Sequence, residues 1–118
     1  MKRTATAVWQ GSLKEGKGTL TAPGGALRHT EYSFGSRFAS GAGTNPEELI
    51  AAAHAGCFAM ALSGQLGNAG LTAQSLEVTA TVTMEKLDAG FTVTDVTLDL
   101  LAKIPGAQIG RASCRERV

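Results

Sequence analysis

Both ends of one long helix are written into this chain, and that helix limits every fold open to it. Asn45 favours the N-cap, Pro46 suits the first helical position because it has no N–H to lose there, and Glu47 and Glu48 set carboxylates against the positive end of the helix dipole. With Asn45 as cap, Glu48 falls at the capping-box position. Gly67, Asn68 and Gly70 supply the stop. The pattern predicts a helix over 46–66, reached through the flexible run SGAGT at 40–44. Its residues are apolar nearly all round, from Leu49 and Ile50 through Phe58, Met60 and Leu62, so it is expected to be buried on more than one face. Residues 51–56 (AAAHAG) lack bulk and would let another helix approach closely.

That helix is expected to be a core element and not a bilayer crossing. Its most apolar part, 49–62, contains His54 and Cys57 and falls short of the roughly twenty apolar residues a crossing needs. Lys2 and Arg3 precede no apolar run, so no secretory leader is legible and the cytoplasm is the expected compartment. At 118 residues the chain has room for one domain, and 43% apolar against 18% charged residues excludes a wholly disordered polymer. A net charge of +1 gives no electrostatic grip on nucleic acid or an anionic membrane, so neither partner is expected.

The last ten residues, IGRASCRERV, turn abruptly rich in arginine and, under one choice of codons, resemble a common DNA-sequencing adapter translated in frame. The expectation is therefore a fold confined to 1–108 and incomplete at its C-terminal end, with 109–118 outside it. Without that tail, eight basic side chains face nine acidic ones, and Cys114 drops out. An even cysteine count is then no argument for a disulfide between Cys57 and Cys114.

Flanking the helix, the chain reads as β structure. Residues 4–9 alternate loosely, 16–18 signal a turn, 18–22 can form a short strand ended by Pro23-Gly24-Gly25, and 32–38 offer a third strand, together an antiparallel meander. After the helix, Leu76, Val78, Ala80, Val82 and Met84 alternate with Glu77, Thr79, Thr81 and Thr83, the signature of a strand with one buried face. Asp88-Ala89-Gly90 offers a hairpin turn. The return strand changes phase between Phe91/Val93 and Val96/Leu98/Leu100, which a bulge near Asp95 would reconcile, and Pro105-Gly106 closes it. The expected class is α+β: an N-terminal antiparallel meander, a long buried central helix, then a β-hairpin.

Cys57 is the one thiol inside this framework, and on helix position alone a buried cysteine is usually a small hydrophobe. Reactivity needs a thiolate, and a thiolate needs a nearby positive charge or donor. The helix N-terminus is too far from Cys57 to help, since dipole effects fade within the first turn. His54, at i−3, shares roughly its face, and Arg37 on the expected third strand brings a permanent charge. His29 stands alone, and no second cysteine or histidine has metal-ligand spacing. Taken singly, Arg37 reads as a solvated strand-edge charge, and Glu47 and Glu48 as first-turn residues.

Taken together, these residues resemble a known family. The run TNPEELIAAAHAGCFAMALS at 44–63 looks like the central helix of the OsmC/Ohr proteins, with further matches in WQGSLKEGKGT at 9–19, SRF at 36–38 and KLDAGF at 86–91. The form AAHAGC, with His54, is closer to the OsmC branch. The resemblance implies an OsmC-like fold and an intertwined homodimer with active sites at the subunit interface. It implies a thiol-dependent peroxidase without cofactor or metal, acting on organic hydroperoxides and hydrogen peroxide in oxidative and osmotic stress. On the same ground Cys57 matches the peroxidatic cysteine, Arg37 the active-site arginine and Glu47 its carboxylate partner, whereas His54 and Glu48 match no established role. The reductant implied is a dithiol, with lipoyl proteins implicated. The family's C-terminal helix, its second cysteine beside a proline and its final strand have no match here.

Spacing adds a separate constraint. Glu47 and Cys57 are ten residues apart, about 15 Å of rise and roughly 80° of rotation on an unbroken helix. Either the helix breaks, or a second subunit with an antiparallel helix completes the site. Two other functions are compatible with the residues: a dimeric binding or structural protein with an inert Cys57, and a Cys57/His54 hydrolase, for which the sequence shows neither an oxyanion hole nor a third orienting group.

Overall fold

The structure, a computed structural model, describes residues 1–38 and 43–105 with their side chains and 110–117 by backbone alone. The expected run at 40–44, Gly106 of the Pro105-Gly106 stop and the side chain of Cys114 fall outside the described residues in whole or part. The chain groups into two compact units, Met1–Pro46 and Glu47–Val118.

The first unit carries the meander: β1 (Thr6–Gln10), β2 (Lys17–Thr21) and β3 (Thr30–Tyr32), antiparallel in that order. Its register turns on one glycine. Trp9 pairs with Gly18 and Gly18 with Tyr32, so two aromatic side chains flank the bare position on the central strand, their centroids 5.5 Å apart. A Cβ on Gly18 would lie 2.5 Å from Cε1 of Tyr32 and 2.6 Å from Cε3 of Trp9, inside van der Waals contact. The rings occupy the volume the glycine leaves empty. Gly18→Val is accordingly expected to destabilise the protein by about 1–3 kcal/mol through overpacking. The measurement is the urea midpoint followed by the fluorescence of Trp9, the sole tryptophan. An unchanged midpoint would show that the rings do not depend on the bare backbone.

The third strand is shorter than the sequence predicts. Instead of running through 32–38, the chain leaves β3 after Tyr32 and makes one turn of helix, α1 (Phe34–Phe38). Reciprocal capping is the cause. Ser33 caps the turn by accepting the Ser36 N–H on its Oγ at 3.2 Å, while Ser36 Oγ accepts the Ser33 N–H at 2.8 Å. Arg37 therefore sits on a helical turn and not at a strand edge.

In the second unit α2 (Pro46–Asn68) starts where predicted and runs two residues past the expected end. Its C-terminus is a Schellman closure: Leu71 N–H donates to Leu66 C=O at 2.8 Å and Gly70 N–H to Gly67 C=O at 3.0 Å, with Gly70 at φ 79° where a side chain would be strained. The expectation of a buried central helix is not met within one chain. None of its residues is buried, Met60 is 80% exposed, and no strand of its unit packs along it. An apolar pattern specifies that a helix wants covering, and among the described residues of its own unit no element covers it. By length and mean hydropathy α2 also matches a bilayer-crossing helix, a test that the core helix of a soluble fold passes equally.

The rest of the unit is a sheet, with β4 (Ser75–Leu87) and β5 (Gly90–Lys103) joined at Asp88-Ala89 as the turn residues predict. Exposure alternates along β4, and Val96, Leu98 and Ala102 of β5 are its most buried residues. The phase change is resolved by a bulge: Thr83 pairs with Asp95 and Met84 with Val93, leaving Thr94 as the extra residue. A third strand, β6 (Gly110–Arg117), pairs antiparallel with β5 from Ala102–Gly110 to Asp95–Arg117. The sequence reading leaves 109–118 outside the fold, whereas most of that segment is a sheet strand. A free strand edge presents a row of N–H and C=O groups that an extended segment can satisfy with its backbone, whatever its side chains.

Candidate functional site

Cys57 stands near the middle of α2, and its side chain is exposed. Beside it, a Cβ at Gly56 would meet nothing within 4 Å, and the same holds at Gly64 two turns on. The thiol thus lies on an open helix surface lined by small residues, and His54 is half-buried one turn earlier. Glu47 occupies the first turn of the same helix, half-buried, with Oε2 shut off from solvent.

The helix is continuous from Pro46 to Asn68, which removes the broken-helix alternative. Glu47 and Cys57 therefore stay about 15 Å apart along the axis and point some 80° from one another. Among the described residues no three His, Cys, Asp or Glu side chains gather as a metal set.

Arg37 belongs to the other unit, and its surroundings follow from α1. Its backbone N–H donates to Ser33 C=O at 3.1 Å, and its guanidinium carbon stands 5.0 Å from the ring centre of Phe38. Phe34 and Phe38, one helical turn apart, bring their rings to 4.9 Å. Together with Trp9, Leu13, Tyr32 and Ser33 they line a hollow of about 230 Å³ that includes Arg37 in its wall. The aromatic face holds the planar guanidinium by cation–π attraction, leaving its N–H fork available to an anion. A larger hollow in the unit, about 410 Å³, lies against Gln10, Lys17, Thr19 and Glu31 and does not include Arg37.

Sequence reasoning names Cys57, Arg37 and Glu47 but misses what holds Arg37. The Ser33–Ser36 pair is a Ser-x-x-Ser capping signal that is legible in hindsight, concealed by Tyr32, Phe34, Ser36 and Phe38 falling on alternate positions.

Residues 39–112 match the family model described as OsmC-like protein. The peroxiredoxin OsmC of Escherichia coli (strain K12) is 50% identical over 100 residues, spanning 85% of this chain and 70% of that protein. This chain belongs to the OsmC family. The peroxiredoxin OsmC of Shigella flexneri matches with the same identity and coverage. Among solved structures, the organic hydroperoxide resistance protein OhrB of Bacillus subtilis aligns over 89% of this chain and 74% of its own, with a TM-score of 0.59 at 23% identity, a likeness of fold. The α+β class expected from the sequence is the one the family fold has. Cys57 and Glu47 lie within the matched stretch and Arg37 two residues before it.

Proposed function

We propose that this OsmC-family chain is a thiol-dependent peroxidase that reduces organic hydroperoxides and hydrogen peroxide, with Cys57 as the attacking group. The observation that carries the reading is Cys57 presented on an exposed, small-residue helix surface in a chain half identical to two peroxiredoxins. The thiolate sulfur attacks the distal peroxide oxygen, a new S–O bond forms and the O–O bond breaks. The sulfur loses two electrons and becomes sulfenic acid, while the leaving oxygen takes up a proton and departs as alcohol or water. Arg37 stabilises the thiolate and the charge growing on the leaving oxygen, and Glu47 holds the guanidinium through a two-point carboxylate pair.

Assembly follows from the same helix. Because α2 is unbroken, Glu47 cannot reach Cys57 of its own chain, and α2 leaves apolar surface uncovered. A homodimer in which α2 packs antiparallel on its copy meets both conditions and completes each site from two subunits. A dithiol, as in a lipoyl protein, is the reductant of the family's two-cysteine cycle, which suits a reducing compartment such as the cytoplasm; the step proposed for the residues given is the first oxidation, at Cys57.

The direct test is chemical. One equivalent of cumene hydroperoxide is expected to convert Cys57 to a sulfenic acid that dimedone traps, adding one dimedone mass to the Cys57 peptide. A thiol left unmodified by the oxidant and resistant to alkylation would turn the reading towards a binding protein of the same fold.

A further inference from the structure

One helical turn is too short to persist on its own, since the first turn fixes several residues for a single hydrogen bond. What holds α1 in place is therefore what fixes Arg37. Three hydrogen bonds tie Ser36 to Ser33, two of them through the Ser36 hydroxyl: Ser36 Oγ accepts the Ser33 N–H at 2.8 Å and donates to Ser33 C=O at 3.1 Å, while the Ser36 backbone N–H donates to Ser33 Oγ at 3.2 Å. Ser36 is only 6% exposed, the one buried polar residue among those described, although its neighbour Arg37 is exposed. The carbonyl that receives the Ser36 hydroxyl is also the one that receives the Arg37 backbone N–H, at 3.1 Å. The hydroxyl and the arginine backbone are thus tied to the same oxygen.

We propose that Ser36 is a positioning residue for Arg37: its buried hydroxyl locks the Ser33–Arg37 turn and so sets where the guanidinium stands. This rests on the reading that Arg37 acts in the oxidation of Cys57. Without the hydroxyl, the half-buried Ser33 N–H loses its acceptor and the turn loses two of its ties, so Arg37 samples positions away from the ring of Phe38. Charge stabilisation by a displaced guanidinium falls steeply, because geometry within about 1 Å matters at a reacting centre.

The experiment is a cycle of four full-length chains: parent, Ser36→Ala, Arg37→Ala and the double variant. In each, formation of the dimedone-trapped Cys57 peptide is followed with cumene hydroperoxide in excess. Ser36→Ala is expected to slow oxidation by about tenfold in the parent and by less than about twofold in the Arg37→Ala background, since the hydroxyl acts through the arginine. An equal factor in both backgrounds, or none in the parent, overturns the inference while leaving Arg37 in its role. An Arg37→Ala chain that reacts at the parent rate overturns both. Should Ser36→Ala fail to fold, Ser33→Ala and Ser33→Thr replace it: loss of rate in the first with retention in the second supports the positioning role, and equal rates overturn it.

Discussion

Cys57→Ser is expected to end hydroperoxide consumption, lowering the rate by at least about 10³-fold, because a serine hydroxyl is neither ionised at neutral pH nor able to accept oxygen as sulfur does. The exposure of Cys57 on α2 makes the substitution a clean one. One atom changes at an exposed position, so the fold should survive, and circular dichroism with an unchanged melting profile documents that. Cys114→Ser serves as the control for the second thiol and is expected to keep the initial oxidation. Peroxide consumption by the Cys57→Ser chain at the parent rate would end the peroxidase reading.

The second large effect distinguishes sites built within one chain from sites built across two. Arg37→Ala is expected to slow peroxide reduction by about 10²- to 10³-fold, the scale of losing a charge-stabilising donor. A mixture of Arg37→Ala and Cys57→Ser chains, each inactive alone, then gives a result that geometry dictates. If the arginine and Glu47 serve the partner's Cys57, every mixed dimer contains one intact site, and random pairing recovers about a quarter of the parent activity. If a site draws all its groups from one chain, the mixture recovers nothing, and the shared-site arrangement is wrong. The same sample, in buffer without detergent, should scatter light as a particle of twice the chain mass, which also separates a self-covered α2 from one that seeks lipid.

How far the sequence reached depends on what each element uses to form. The ends of α2 were legible because their signals are local: Asn45, Pro46 and two carboxylates at one end, Gly70 in a left-handed turn at the other. The β4–β5 hairpin and its bulge were legible because thirteen- and fourteen-residue strands show their period of two unmistakably, including where it slips. In contrast, α1 was not, since over five residues the spacing of Phe34 and Phe38 satisfies a helical turn as well as a strand face, and hydroxyl hydrogen bonds decided between them. Nor did composition anticipate β6, whose ladder is backbone chemistry. For the site, residue types alone favoured an inert Cys57. The family match supports its chemistry, and the exposure of α2 shows why a thiol on an apolar helix need not be sealed in a core.

The bulge at Thr94 has a consequence for how the hairpin can change. An added residue in a strand ordinarily turns every later side chain to the opposite face, yet here Met84 still meets Val93, and Val93 stays on the side of the sheet that carries Val82 and Val96. Amphipathicity is encoded by the alternating pairs, and curvature by a single supernumerary threonine. The bend of this arm can therefore be tuned independently of which side of it is greasy.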